Sequence, residues 1–395
     1  MGARLPESRT RTRAEIELLT SLGTVLLSTQ GFASSEVEET FARARALCDR
    51  IGGDVPPKIL AGIIGVTITR GDRRATDQLM PHLCRMAESP RDVVEEVTGW
   101  TGLGINAFWR GAHDAARTYL DRARPAYNTE AFQRYVREYG YDGGIFSYAY
   151  TAWNLWVLGR PSEAEHTCAE LLALSERSLD PHARSLALSF AMVLAHSQRD
   201  AEATITCAER LIAIASEQKL YFWLAFGQCG HGAGIALRGH PDQGIPEIRQ
   251  GLDLTRMIGA TVSYGYYLTL LAGALRDAGQ LEDAGTVTDE ALALCGESLG
   301  RFHEPELLRL KGELRATAHA ADDAEVLVRR GLELARKNGA RAWELRAATT
   351  LGRLLRDRGA SDGARAALGA ALAAFADDAG GADVRNARAL LATLG

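Results

Sequence analysis

Apolar residues recur along this chain at helical spacing, in stretches of 15 to 20 residues separated by short breaks of glycine and acidic residues. One stretch shows the pattern: Ala284, Val287, Ala291, Leu292 and Leu294 fall along one face, with Asp289 and Glu290 off it. The breaks include Gly71-Asp72, Gly111-Ala112-His113-Asp114, Gly159-Arg160-Pro161-Ser162-Glu163, Gly239-His240-Pro241-Asp242 and Gly279-Gln280-Leu281-Glu282-Asp283. With the glycine as a mark, the series runs 31, 71, 111, 159, 199, 239, 279, 319, 359, every step being 40 except the 48 before Gly159. Seven marks are Gly, while Arg199 and His319 stand at the other two. Each unit is therefore predicted to be a helical hairpin, its helices about 22–30 Å long at 1.5 Å per residue. Glycine ends the first helix because it tolerates a left-handed backbone, and the acidic residues after it favour the start of the second. A lone hairpin cannot bury its apolar face, so such units stack.

A period of 40 suits HEAT or armadillo arrays better than the 34 of tetratricopeptide repeats, but the small residues favour the latter. Of the helix A pattern W-x2-L-G-x2-Y, Trp100-Thr101-Gly102-Leu103-Gly104 keeps all but the last place, where Ala107 stands. Lys311-Gly312 and Leu351-Gly352 keep the glycine at the same distance from their turns. Five residues past the marks come Ala116, Ala164, Ala284, Ala324 and Ala364, and seven further on Ala123, Ala291, Gly331 and Ala371, as close helix crossing requires. The predicted fold is all-α: a tetratricopeptide-like, right-handed superhelical solenoid of about nine hairpins, in one domain over 1–395. A tail occupies about 1–12. The eight extra residues form an insertion at about 126–144, and a helix at 382–394 caps the end, with Val384, Ala387, Leu390 and Leu391 inward.

Charge narrows the function. The 45 basic and 50 acidic residues are interleaved, so no basic excess faces a nucleic-acid backbone. The longest apolar runs, 59–69 and 366–376, fall short of the ~20 residues of a membrane helix. The start of the chain lacks the apolar run of a signal peptide, and Pro6 stands where myristoylation needs Ser or Thr. Six cysteines without CxxC spacing read as reduced packing residues, and a cytoplasmic protein is expected.

Catalytic motifs are weak. His303-Glu304-Pro305-Glu306-Leu307 starts like HExxH but ends in Leu. Cys229 and His231 are two apart on a helix and do not share a face. Gly102-Leu103-Gly104-Ile105-Asn106-Ala107 lies inside a helix, where a dinucleotide fingerprint cannot work. Gly296-Glu297-Ser298-Leu299-Gly300 has the nucleophile-elbow spacing but follows a helix rather than a strand. No phosphate loop GxxxxGK[ST] occurs. No cofactor, metal or enzymatic activity is expected, although a catalytic set assembled from distant positions is left open.

What the pattern does offer is a groove. Helix A of such solenoids lines the concave face, at positions 3, 6, 10 and 13 before each mark. These select Phe108, Ile105 and Thr101; Phe146, Trp153 and Trp156; Phe226, Cys229 and Ala233; and Tyr266. Toward the C-terminus they become Arg309, Glu313, Arg346, Arg353 and Arg356. As a binding surface, the aromatics anchor apolar side chains and the arginines pair with carboxylates. The same residues also read as core packing and a solvated face.

The stretches 18–53 (LLTSLGTVLLSTQGFASSEVEETFARARALCDRIGG), 139–165 (YGYDGGIFSYAYTAWNLWVLGRPSEAE), 301–315 (RFHEPELLRLKGELR) and 339–355 (GARAWELRAATTLGRLL) carry a family likeness. The chain resembles the C-terminal repeat region of bacterial signalling proteins that join a class III adenylate or guanylate cyclase to a STAND-type ATPase. The resemblance implies a regulatory or partner-sensing role, with catalysis in domains outside this chain and no catalytic residues to carry over. The expected partner is a peptide or protein segment, or a cyclase or ATPase domain acting in cis, with no nucleic acid and no membrane. The alternative is a small-ligand binder, or an enzyme of unrecognised type, in which the 126–144 insertion closes over Trp153, Trp156 and Tyr266.

Overall fold

The structure is a computed structural model that describes residues 9–52, 55–127, 142–178, 180–318, 321–375 and 380–394. Among them it contains nineteen helices and no strand. The first four hairpins pair α1 (Arg9–Gln30) with α2 (Ser35–Ile51), α3 (Pro57–Thr69) with α4 (Arg73–Glu88), α5 (Val93–Trp109) with α6 (His113–Ala126), and α7 (Ile145–Val157) with α8 (Pro161–Glu176). The next are α9 (Pro181–Ser197) with α10 (Ala201–Glu217), α11 (Tyr221–Leu237) with α12 (Pro241–Ile258), and α13 (Tyr264–Asp277) with α14 (Leu281–Glu297). Last come α15 (Glu304–Thr317) with α16 (Ala321–Lys337), α17 (Arg341–Asp357) with α18 (Ser361–Leu372), and a final helix α19 (Ala382–Ala392). This is a tetratricopeptide-like solenoid, as the repeated hairpins and their small residues predict.

The turns follow the predicted chemistry. All seven glycine marks have left-handed backbone, with φ between 63° and 101°. Arg199 takes φ 63° at the fifth turn without glycine's freedom. The eighth mark, position 319, lies outside the described residues. Asp72 and Asp200 cap the following helices, accepting from the amides of Ala75 (2.9 Å) and Ala203 (3.0 Å). Elsewhere acidic residues in the first turn, such as Asp114, Glu163 and Asp242, face the positive end of the helix dipole.

Small residues set the helix crossings. Ala116, Ala164, Ala284, Ala324 and Ala364 are all fully buried. A Cβ on Gly312 would come within 2.4 Å of Val328 Cγ2, so only glycine fits there. The buried stripe of α14 is Ala284, Thr288, Ala291 and Cys295, while Val287, Leu292 and Leu294 flank it half-buried. Helix α19 packs on α17 and α18, with Val384, Ala387 and Leu390 buried and Leu391 beside them. Of the insertion, residues 128–141 lie outside the described residues. At its edges the Tyr127 hydroxyl donates to Asp142 Oδ2 at 2.8 Å.

The superhelix closes on itself. Carbonyls at the ends of α3 and α5 and in the turn after α3 lie past the reach of their own helix ladder, and links about five hairpins further on donate to them. Val262 donates its amide to Thr69 (3.1 Å), Leu299 to Gly71 (3.0 Å) and Phe302 to Trp109 (3.1 Å). Arg346 Nη2 donates to the Ser197 carbonyl at 2.7 Å, and Arg199 Nε to Asp383 Oδ1 at 2.8 Å. Successive turns thus touch through backbone hydrogen bonds, and the A helices face inward onto a shared axis.

Candidate ligand channel along the superhelix axis

The A helices α3, α5, α7, α9, α11 and α13 converge on an apolar cavity of about 140 Å³. Helical spacing puts one face of each on the axis, and aromatic rings fill most of it. The Trp153 ring lies 4.7 Å from Phe302, 4.9 Å from Phe108 and 5.1 Å from Tyr266, centroid to centroid. Three polar atoms of the lining residues are buried without a hydrogen-bond partner: Thr101 Oγ1, Ser263 Oγ and Trp153 Nε1. An unpaired buried polar group costs about 1–3 kcal/mol, which the packing of the rings around these atoms has to offset.

Tyr266 also borders a smaller space of about 90 Å³, lined by His196, His303, Arg309, Trp343 and Arg346 among others. The two arginines open in turn onto a chamber of about 330 Å³ lined by Arg199, Arg276, Arg309, Arg346 and Arg353 with Glu313 and Asp383. Arg309 clasps Glu306 with Nε and Nη2 at 2.7 and 2.9 Å, and its Nη1 pairs with Glu313 Oε1. Glu313 Oε2 takes Arg276 Nη1 at 2.6 Å. Asp383 receives Arg199 on Oδ1 and Arg346 on Oδ2, the latter at 2.6 Å. Burial pushes the Glu313 carboxyl up, but the guanidiniums of Arg309 and Arg276 together outweigh it and bring it down to about 2. The Arg199 guanidinium is lowered, first by the charge of Arg346 and then by burial.

The predicted groove residues fall into several places. Phe146, Trp153, Phe226 and Tyr266 line the aromatic cavity. Phe108 is wholly buried behind it. Trp156 stands apart, edge-on to Trp343 at 4.9 Å with the Arg346 guanidinium 5.2 Å from its ring centroid. Arg309 and Arg353 border the charged chamber. Arg356 is exposed and pairs with its neighbour Asp357 at 2.9 Å. Several lining residues went unnamed from sequence, although the spacing reaches them. Leu186, Ser189 and Val193 stand 13, 10 and 6 before Arg199, and Arg276 stands 3 before Gly279. Arg199, at a turn, obeys no such rule, nor does Phe302, which sits on a link and packs behind the wall against Trp153 and Tyr266.

The catalytic motifs dissolve. Cys295 Sγ lies 3.7 Å from His303 Nε2, yet burial pushes the thiol up to about 12 and the imidazole down to about 3, so both are neutral near pH 7. His231 Nδ1 faces Glu247 at 2.5 Å, while the Cys229 thiol faces the Ile248 carbonyl at 3.7 Å. Ser298 ends α14 in extended backbone and accepts from the Gly300 amide at 3.2 Å, with no strand before it. Among the described residues no three His, Cys, Asp or Glu side chains gather as metal ligands, and no helix is long and apolar enough to cross a membrane.

No family model matches the chain. An uncharacterized protein of Rhizobium meliloti (strain 1021) is 23% identical over 346 residues, which are 87% of this chain. The chain spans 34% of the length of that relative. Among solved structures, aspartyl phosphate phosphatase F from Bacillus subtilis aligns with a TM-score of 0.49 and 10% identity, over 94% of this chain and 96% of that one. The STAND signal-transduction ATPase with a tetratricopeptide repeat sensor from Pyrococcus horikoshii aligns with a TM-score of 0.47 and 14% identity, over 91% of this chain and 52% of that one.

Proposed function

We propose that this chain is a non-catalytic sensing module of a signalling protein, and that a short peptide or protein segment enters its axial channel. The observation that carries this reading is a row of three neighbouring spaces along the axis, the aromatic cavity and the next sharing Tyr266, and that one and the arginine-lined chamber sharing Arg309 and Arg346. The cavity of about 140 Å³ admits one large apolar side chain, not a helix. An extended segment with one aromatic or aliphatic anchor therefore fits best. Binding between turns of the superhelix shifts its closure, which is how such a module passes a signal to a catalytic domain outside this chain, a cyclase or ATPase in cis by the resemblance above.

The test uses a library of linear hexapeptides, each carrying one Phe, Leu or Trp, read by tryptophan fluorescence and thermal shift. Phe146 lines the cavity yet is only half-buried, so Phe146→Ala removes an anchor contact at modest cost to the core. Saturable binding that weakens by about tenfold in Phe146→Ala, with the variant folded, is the expected result. A folded protein that binds no peptide of the library refutes the reading.

A second reading is favoured by the cavity's size, close to the ~150 Å³ that in an engineered apolar cavity holds benzene. It takes a free aromatic molecule as the ligand. Saturable binding of indole, competitive with any peptide, separates the two.

A further inference from the structure

We propose that the arginine-lined chamber at the C-terminal end of the channel is an oxyanion site that takes a carboxylate or phosphate group. The inference rests on the channel reading above and names the chemistry of the ligand's second end.

Charge balance is the first support. Five guanidiniums, of Arg199, Arg276, Arg309, Arg346 and Arg353, border the chamber. The carboxylates within reach are buried Glu306 and half-buried Glu313 and Asp383, and each is already shared between two arginines. Asp277, which pairs with Arg276, is half-exposed at the rim. An excess of positive charge therefore faces a space of about 330 Å³ from which the bulk solvent is partly excluded. A guanidinium binds an oxyanion through charge-assisted hydrogen bonds in a planar fork, and several converging forks make a site.

Backbone conformation is the second. Arg199 occupies a turn position where the seven glycine marks show what the backbone prefers. A left-handed conformation costs a side-chain-bearing residue about 1–2 kcal/mol. Only Arg199 Nε is engaged, by Asp383, which leaves both Nη groups for a ligand. Placement of that guanidinium in the chamber accounts for an arginine where glycine suits the turn. Arg353 is the third support. It borders the chamber from α17, is exposed, and has no ion pair among the described residues. An arginine that ties nothing together in the fold is free to hold an anion.

The experiment is calorimetric titration of the whole chain with inorganic phosphate and with succinate at constant ionic strength, beside a chloride control. A peptide that binds in the hexapeptide assay is compared as free acid and as amide, which tells a free anion from the acid end of a peptide. Arg353→Ala and Arg199→Gly are tested in parallel. Saturable anion binding, about tenfold weaker in each variant, with both variants folded and the unfolding midpoint of Arg353→Ala held, is the expected result. Arg353→Ala discriminates best, because Arg353 holds no ion pair among the described residues, whereas Arg199→Gly also removes the clasp to Asp383 and relieves the left-handed backbone. No binding beyond the chloride control by phosphate, succinate or acid-ended peptide overturns the proposal, as does wild-type affinity in both variants. If peptides bind through Phe146 regardless of their C-terminal charge and of Arg353, the oxyanion site alone falls. If phosphate binds and no peptide does, the peptide reading alone falls.

Discussion

The two ends of the channel are lined mainly by A helices, α3 to α13 at the aromatic end and α13, α15 and α17 at the charged one, yet they hold together by opposite means. Around Trp153 the rings of Phe108, Tyr266 and Phe302 meet edge-on or tilted, and their burial is itself the stabilising term. Around Arg309 the contacts are ion pairs taken out of water, whose desolvation offsets most of their attraction. A solenoid built for stability alone gains little from Arg276, Arg309 and Arg346, buried or half-buried, where aliphatic side chains would pack. On the reading proposed above, the aromatic end supplies the stability and the charged end selects the ligand.

The sharpest way to break that contrast is Phe302→Ala. Phe302 is fully buried on the link before α15, and its ring meets side chains of α5, α7 and α13, so it joins hairpins far apart in sequence. Truncation of such a residue costs about 3–5 kcal/mol, because the surrounding rings relax only partly. Urea unfolding of the variant is expected to show that loss with a lower midpoint. A loss under about 1 kcal/mol means that the turns of the superhelix are held elsewhere.

Acid separates the two ends next. Burial holds His113 at about 4 and His303 at about 3, both beside aromatic rings, and His196 at about 3 under burial and the charges of Arg346 and Arg199. Each stays neutral when folded but takes up a proton near pH 6.5 when unfolded. The sign follows: their stabilisation is complete above pH 6.5 and declines as pH falls toward 4 and 3. Between pH 7 and 5.5 each histidine is expected to remove about 1 kcal/mol. Glu313 has the opposite chemistry. Its contribution is complete above the usual carboxylate value of 4.5 and is lost only toward its folded value of about 2. The histidines among the aromatic rings, with His196 beside Arg346 and Arg199, are therefore expected to cost stability at a milder pH than Glu313 does. Urea midpoints between pH 7.5 and 5 check this, and His113→Gln is expected to flatten the slope by roughly a third.

How much of this was legible depends on how far apart the interacting residues lie. Gly71, Gly111 and Ala116 announce the hairpins because a left-handed turn and a close helix crossing are local demands, repeated every 40 residues. The inward face of each A helix was legible for the same reason, and it places Phe146, Trp153, Phe226 and Tyr266 on the aromatic cavity. Closure of the superhelix was not. The bond from Phe302 to Trp109 and that from Val262 to Thr69 join backbone groups that any residue carries. They arise from the pitch of the whole array, which no short segment encodes. The same closure explains why Phe108 lies behind the cavity wall, covered by Phe302 from a later turn. Arg199 was half-legible: a mark without glycine is visible in the sequence, but the partner Asp383 that reveals its direction is not.

The smallest expected effect tests where the charged end stops. Arg353 and Arg356 are three residues apart on α17, and the same spacing rule selects both for the groove. Arg353 borders the chamber, whereas Arg356 is exposed and pairs with the adjacent Asp357. An exposed pair of this kind contributes about 0–1 kcal/mol, and adjacent partners on one helix do not face each other well. Arg356→Ala is accordingly expected to change stability by no more than about 0.5 kcal/mol and to leave phosphate affinity unaltered, while Arg353→Ala weakens it. Equal weakening by both substitutions means that phosphate is drawn by the general positive field of α17, a long-range effect that rising salt abolishes. A difference between them that persists at 0.5 M salt means that the chamber holds the anion by contact, since only bonded partners escape screening at that ionic strength.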